Sequence, residues 1–125
     1  MTLSVDTLTI DCHGPKALAD FWCAALGFQL DEIDEEGAVV KPADGLGWEM
    51  LFLVVPDDKV VKNRLHLDVR PSGSMGAEVA RLEELGATAI VRVDEGGGFW
   101  TVMSDPEGNE FCVLRGPEDG WSGEL

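Results

Sequence analysis

The sequence repeats itself, and this repeat limits what the chain can fold into more than any other feature. Leu8-Thr9-Ile10-Asp11 is matched by Leu65-His66-Leu67-Asp68, 57 positions later. Leu26-Gly27 is matched by Leu85-Gly86 after 59 positions, and residues 44–53 resemble residues 105–114 after 61. Because the displacement changes by only a few residues and the matches keep their order, the 125 residues are best described as two units of about 60.

The first copy predicts a strand, a helix and then three strands. Residues 3–12 alternate between apolar and polar side chains, as in a strand with one buried face. A helix is predicted to begin at Gly14-Pro15 and to end at Gly27, because proline suits the first helical turn and glycine the left-handed cap. The strands that follow are Phe28–Ile33, Ala38–Lys41 and Trp48–Val55.

The second copy predicts the same order of elements. A strand over Leu65–Arg70 precedes an amphipathic helix from Met75 to Leu85, which Gly86 ends. The predicted strands that complete it are Ala89–Val93, Phe99–Ser104 and Glu110–Arg115. Residues 57–62 form a polar linker, and residues 116–125 are expected to be an irregular tail.

These elements predict an α+β fold. A single domain over residues 1–115 would contain two βαβββ modules, at about 3–56 and 63–115. In each module the helix covers one face of the sheet, and the other face is also partly apolar. The two sheets are therefore expected to pair and curl around a cleft, where a ligand would sit.

The charge of the chain excludes several classes of partner. Asp and Glu number 24 against 9 Lys and Arg, which gives a net charge of −15. Such a chain repels nucleic acids and anionic membrane surfaces. No apolar run is long enough to span a bilayer, and no signal-peptide pattern opens the sequence. The three cysteines include no C-x-x-C pair, so we expect a cytoplasmic protein without disulfides.

Two segments suggest a family. They are Phe21-Trp22-x-x-x-Leu26-Gly27-Phe28 and Asp105-Pro106-Glu107-Gly108-Asn109-Glu110-Phe111. Together with the doubled layout, they make the chain resemble the glyoxalase, bleomycin-resistance and extradiol-dioxygenase superfamily, the vicinal-oxygen-chelate proteins, in its glyoxalase-like branch. The resemblance covers about residues 3–115 and implies a small-molecule ligand and a homodimer.

The resemblance also implies where a metal would bind. Metal-dependent members hold one divalent ion through His, Glu or Gln side chains on the first, fifth and last strands. In this sequence those positions are Thr7 or Thr9, His66 and Cys112. Only His66 is of the expected type. Together His66 and Cys112 would supply two ligands, which are too few for a tight site. No metal cofactor is therefore predicted; if one binds, His66 and Cys112 would hold it.

The strongest catalytic candidate is His66, which shares a predicted strand face with Arg64, Asp68 and Arg70. A neutral imidazole near a carboxylate can act as a general base or hold a substrate, and the alternative is a structural histidine. His66 and Glu110 are the predicted catalytic residues. The predicted substrate-binding residues are Thr7, Thr9, Trp48 and Leu51 in the first copy, and Arg64, Asp68, Trp100 and Cys112 in the second.

Two functions stay open at this point. The polar residues around His66 favour an enzyme of lyase, isomerase or dehydratase type that acts on a small metabolite without a metal. The incomplete ligand set and the four tryptophans favour a non-catalytic protein that sequesters an organic ligand, as drug-resistance members of the superfamily do. Cys112 is expected to be a buried, inert thiol in either case.

Overall fold

The computed structural model describes residues 2–123 and divides between Asp58 and Lys59 into two compact units. The first unit forms one four-stranded sheet in the order β1-β4-β3-β2. β1 runs parallel to β4, and the remaining pairs are antiparallel. The elements of the first unit are β1 (Thr7–Cys12), α1 (Pro15–Leu26), β2 (Phe28–Ile33), β3 (Gly37–Pro42) and β4 (Glu49–Val54).

The second unit repeats this arrangement, with strand order β5-β8-β7-β6 and a parallel β5–β8 pair. Its elements are β5 (Asp68–Val69), α2 (Met75–Glu84), β6 (Thr88–Glu95), β7 (Gly98–Ser104) and β8 (Glu110–Leu114), followed by a 3₁₀ turn at Pro117–Asp119. The predicted α+β class and the two βαβββ modules are therefore confirmed.

Helix α1 ends where the sequence predicted. Gly27 adopts a left-handed conformation with φ of 72°, and its amide donates to the Cys23 carbonyl at 2.9 Å. Such a φ is strained for a residue with a side chain, so glycine fits this cap. The apolar face of the helix buries Leu18, Ala19, Phe21 and Trp22, and the sheet buries Ala38, Val40, Met50 and Phe52.

Helix α2 buries less of itself than α1 does. Among its residues, Met75 and Leu82 are buried, while Met103, Phe111 and Val113 form the buried side of the sheet. The Ser74 hydroxyl accepts from the Ala77 amide at 3.2 Å and caps the helix start. A second cap comes from the tail, since the Asp119 carboxylate accepts from the Met75 amide at 2.6 Å.

The strand before α2 is much shorter than predicted. The sequence indicated Leu65–Arg70, but only Asp68 and Val69 pair with β8. The chain bends at Arg64 and Leu65, and Leu65, His66 and Leu67 lie outside the ladder. The contact that remains beside the strand is a hydrogen bond from the Cys112 amide to the Leu67 carbonyl at 2.9 Å.

The register of the two parallel pairs corrects the predicted repeat. Thr9 pairs with Leu51 in the first sheet, and Asp68 pairs with Cys112 in the second. Since Leu51 and Cys112 are the matching positions of the last strands, Thr9 corresponds to Asp68 and Thr7 to His66. The displacement is therefore 59 rather than 57 at this strand. The sequence match was wrong by two residues, which keeps every side chain on its expected face.

The predicted irregular tail contains a short ordered element. The 3₁₀ turn holds Asp119 against the start of α2, and Gly116 lies against the backbone of Gly73. Cys12, Cys23 and Cys112 form no disulfide among residues 2–123. Within residues 2–123, no helix has both the length and the apolar character needed to cross a membrane.

Candidate functional site

The second sheet has one face under α2 and one face opposite it, and the candidate site lies on the latter. Alternation along β8 places Phe111 and Val113 toward the helix and therefore Cys112 and Leu114 on the other side. Asp68 pairs with Cys112, and Trp100 pairs with Leu114. We call this surface, defined by Asp68, Trp100, Cys112 and Leu114, the site face.

Three side chains with ionisable groups converge at one end of the site face. The His66 Nε2 atom lies 3.3 Å from the Asp68 Oδ1 atom. Donor atoms of His66, Asp68 and Cys112 all lie within 4.8 Å of one another. The side chains of His66 and Asp68 are 40% and 54% exposed, so a dissolved molecule can reach them, whereas Cys112 is buried.

Cys112 keeps its proton in this setting. Burial raises the pKa of its thiol, and the negative charge of Asp68 and a hydrogen bond to that carboxylate raise the pKa further. The thiol, and not the thiolate, is thus the form at neutral pH. Because the thiolate is the reactive nucleophile, these contacts agree with the inert role predicted for Cys112.

Glu110 occupies the same strand but serves a different set of contacts. Its Oε1 atom accepts from the Asn63 amide at 2.9 Å and pairs with the Lys59 Nζ atom at 3.1 Å. The hydrogen bond from Asn63, assisted by Lys59, holds the pKa of Glu110 below its usual range. The carboxylate that pairs with His66 is that of Asp68, and the catalytic role of Glu110 stays a prediction.

The structure thus brings His66, Asp68 and Cys112 together, and it gives Asp68 a larger part than the sequence did. Asp68 was predicted only to contact the substrate, yet it bridges the imidazole and the thiol. The signal was the two-residue spacing of His66 and Asp68, which places both on one side of an extended chain. Arg64 lies exposed in the bend before β5.

The remaining predicted residues belong to the first unit. Thr7, Thr9 and Leu51 lie on the face of the first sheet opposite α1, as the register of β1 and β4 shows. The Thr7 hydroxyl donates to the Asp6 carboxylate at 2.7 Å. Trp48 directly precedes β4 and is 40% exposed. Their contact with a ligand stays a prediction.

A groove of about 210 Å³ lies at the other end of the site face. Trp100 and Leu114 line it from the sheet, and Trp121 lines it from the tail. The Arg70 guanidinium stacks on the Trp121 ring, 3.9 Å from its centroid. The sequence predicted a role for Trp100 but missed Trp121, since the tail was expected to be irregular. We call this the tryptophan groove; its lining is Arg70, Gly98, Phe99, Trp100, Leu114, Arg115 and Trp121.

The Asp105-Pro106-Glu107-Gly108-Asn109 segment builds a turn between β7 and β8. Asp105 is buried, and its carboxylate accepts from the amides of Glu107 at 2.9 Å and Asn109 at 3.0 Å. Gly108 has φ of 87°, which favours glycine. The motif therefore fixes where β8 begins and so sets the register of Glu110 and Cys112.

The donor set differs from the one that the resemblance implies for a divalent ion. The first-strand positions, Thr7 and Thr9, offer neutral hydroxyls, and the last-strand position offers the protonated thiol of Cys112. Asp68 adds a carboxylate beside His66, at a position where the resemblance implies no ligand. The residues thus do not reproduce a His, Glu or Gln set of ligands.

Comparison with known proteins identifies a family and a shared fold. The glyoxalase-like domain family matches residues 7–114. No functionally curated protein matches the sequence. A variant of a fosfomycin resistance protein from Listeria monocytogenes, solved with Mn(II) and dihydroxypropylphosphonic acid, aligns with a TM-score of 0.74 at 12% identity, over 93% of this chain and 92% of its own.

Two further solved structures agree. A glyoxalase/bleomycin resistance protein/dioxygenase family enzyme from Burkholderia phytofirmans has a TM-score of 0.70 at 18% identity and covers 89% of this chain and 97% of its own. A protein from Agrobacterium tumefaciens solved by NMR has a TM-score of 0.72 at 17% identity, with 91% and 98% covered. At these identities the likenesses establish the fold.

Proposed function

Because the chain belongs to the glyoxalase-like domain family, we propose that it binds a small polar metabolite on the site face and catalyses proton transfer on it. The reaction is of lyase, isomerase or dehydratase type and needs no divalent metal. The observation that supports this is the exposed His66–Asp68 pair, with Nε2 and Oδ1 3.3 Å apart. A carboxylate beside an imidazole holds the ring in one orientation.

The proposed reaction gives each atom of the pair a role. When Nε2 carries the proton that faces Asp68, the other ring nitrogen, Nδ1, holds a lone pair. Nδ1 is then the atom that removes a proton from substrate carbon. The charge that develops on the imidazolium is balanced by Asp68, which acts as a positioning residue.

The proton removed by His66 determines the product. If it returns to a neighbouring atom of the same molecule, the reaction is an isomerisation. If it is delivered to a leaving hydroxyl group, water departs and the reaction is a dehydration. Arg64, exposed in the bend before β5, supplies a cation for the oxygen that becomes negative.

Substitution of His66 tests this proposal once a substrate has been found by a thermal-shift metabolite screen, in which a ligand of the folded state raises Tm. His66→Ala should reduce kcat by about 10²- to 10⁴-fold, the usual contribution of a general base. Asp68→Asn should retain part of the activity and displace the pH profile of kcat/KM. Equal kcat in wild type and His66→Ala would refute the proposal.

The metal-independent part has its own test. Protein purified without a tag or chelator should contain well under one equivalent of nickel, zinc or manganese, and turnover should survive dialysis against EDTA. Stoichiometric metal that is lost in both His66→Ala and Cys112→Ala would overturn metal independence and identify those two residues as ligands.

The resemblance also supports a homodimer, which we include in the proposal. Light scattering should then report the mass of two 13.5 kDa chains. A mass of one chain at micromolar concentration would contradict this part, and it would leave the His66–Asp68 chemistry to stand on its own test.

A second candidate function is ligand sequestration without turnover, and the tryptophan groove favours it. Indole rings of Trp100 and Trp121 give an apolar surface that holds planar molecules with little chemistry nearby. Tight binding of an organic compound, with no product formed over many hours and no effect of His66→Ala on affinity, would establish this function in place of the enzyme.

A further inference from the structure

The tryptophan groove combines aromatic walls with an unusual share of the positive charge. The whole chain has 9 Lys and Arg against 24 Asp and Glu. Two of those nine, Arg70 and Arg115, line the groove. In a chain of net charge −15, such a concentration favours an anionic ligand.

Arg70 is held in an orientation that suits a carboxylate. One face of its guanidinium stacks on Trp121, and one nitrogen donates to the Arg115 carbonyl at 2.7 Å. A guanidinium has five N–H donors in a rigid plane, so others remain for a ligand after this bond. The stacking fixes the plane in advance, which reduces the ordering that a bidentate contact requires.

One acidic group, Asp119, lies near the arginines, and its hydrogen bonds, helped by the positive charges of Arg92 and Arg115, lower its pKa. The Asp119 carboxylate accepts from the amides of Met75 at 2.6 Å and Gly116 at 2.9 Å. These two bonds also fix the turn that precedes Trp121, so the outer wall of the groove is held in place.

The groove has room for a single ring. A cavity of about 150 Å³ lined by apolar side chains is enough to hold benzene. The tryptophan groove, at about 210 Å³, adds space for one carboxylate. A ring on the apolar lining supplied by Trp100 and Leu114 can therefore place its acidic group at the edge of Arg70.

The groove also adjoins the His66–Asp68 pair. Leu114 follows Cys112 by two residues on β8, and Arg70 follows Asp68 by two. Two residues of a strand span roughly 7 Å, about the length of one substituted ring. A ring in the groove thus presents its far end to His66.

We propose that the tryptophan groove binds an aromatic carboxylate, and that the substrate of the proposed function belongs to this class. The substrate class rests on the proposed function, whereas binding of an aromatic carboxylate in the groove does not. Trp121 lies beyond residue 114, where the family match ends, so the tail supplies a specificity-determining residue of this particular chain.

Benzoate is the probe that tests the first part, with benzamide as its uncharged match and cyclohexanecarboxylate as its non-aromatic match. Titration followed by the indole N–H signals should give a dissociation constant on the order of 1 mM for benzoate, as expected for so small a ligand. Both comparison compounds should bind at least several-fold more weakly. The Trp100 and Trp121 signals should move, and that of the buried Trp22 should not.

Substitutions then locate the contact. Arg70→Gln should weaken benzoate about tenfold or more, since a charge-assisted pair is lost. Trp121→Ala should weaken it as well, and Arg81→Gln, on α2 and paired with Glu78, should not. Arg70→Lys, which keeps the charge, serves if Arg70→Gln fails to fold. The proposal would be overturned if benzamide bound as tightly as benzoate. It would also be overturned if every folded Arg70 and Trp121 variant kept the affinity of the wild type.

His66→Ala separates this proposal from the previous one. It should leave benzoate affinity within about twofold while it removes turnover of any substrate. Benzoate binding without turnover of any substrate would refute the proposed enzyme activity and support the groove as a binding site. If His66-dependent turnover were found only with substrates that lack an aromatic carboxylate, the enzyme activity would be supported and the proposed substrate class refuted.

Discussion

The two units share one arrangement of strands and helix but distribute their stabilising contacts differently. β1 pairs with β4 over six residues, whereas β5 pairs with β8 over two. Helix α1 buries four side chains and α2 buries two. The second unit adds contacts from outside its sheet: Glu110 binds Asn63 and Lys59, and Asp119 caps α2.

Thr7 and His66 hold matching positions in the two units, and they lie in different surroundings. In the first unit, Thr7 lies within a regular ladder. Its counterpart His66 lies outside the ladder, where its imidazole can face both Asp68 and a ligand. The shortened strand thus leaves His66 exposed, and Glu110 holds the segment before it through Asn63 and Lys59.

The largest predicted effect comes from the core under α1. Trp22 is fully buried there, so Trp22→Ala should lower the free energy of unfolding by about 3–5 kcal/mol. Leu82→Ala, at the matching core of α2, should cost about 2–5 kcal/mol. Urea denaturation measures both, with the exposed Ala17→Ser as control. A smaller loss for Trp22→Ala than for Leu82→Ala would reverse the comparison of the two helices.

The next effect concerns the packing of the tail. A Cβ atom at Gly116 would lie 2.1 Å from the Gly73 carbonyl oxygen, closer than any real contact. Gly116→Ala should therefore displace the tail, lower stability by about 1–3 kcal/mol as overpacking does, and shift the Trp121 indole signal. Calorimetry and NMR check this. An unchanged Trp121 signal would show that the tail does not depend on this close approach.

A smaller effect is expected at Glu110. Its pKa is lowered on folding, so its contribution is complete above the pKa of the unfolded chain and is lost as the pH falls through the folded value. Glu110→Gln should cost about 1–2 kcal/mol at pH 7 and little at low pH. Glu49→Gln, which removes the same charge from β4, is the control. Equal losses for both variants at every pH would contradict the linker role.

The smallest effect should be a gain. Gly76 lies in α2, and a Cβ atom there would meet nothing within 4 Å. Gly76→Ala should therefore stabilise the protein by about 0.5–1 kcal/mol, because alanine loses less backbone entropy in a helix. Thermal unfolding at pH 7 measures this rise. A lower Tm would show that glycine at this position does not weaken α2.

The sequence predicted most of the fold because the signals were local. Alternation, the proline at the start of α1 and Gly27 at its end each act within a few residues. The short β5 was not predictable in this way, since pairing depends on a partner strand more than 40 residues away. The residues predicted for it alternate as a strand would, although only Asp68 and Val69 pair with β8.

The candidate site was predicted in part for the same reason. The spacing of His66 and Asp68 is local and was visible in the sequence. The attachment of Glu110 to Asn63 and the stacking of Arg70 on Trp121 join distant positions. Such contacts arise only when the sheet and the tail are assembled, so the role of Asp68 and the tryptophan groove required the structure.

The central claim is that the second unit carries the ligand on its site face. The direct measurement is an amide NMR titration with the compound that raises Tm most in a metabolite screen. We predict that the largest shifts among signals of the second unit fall on Asp68, Cys112, Leu114 and the Trp100 indole, while the buried signals of α1 and α2 stay in place. Large shifts along α2, with Asp68 and Cys112 unmoved, would contradict the account.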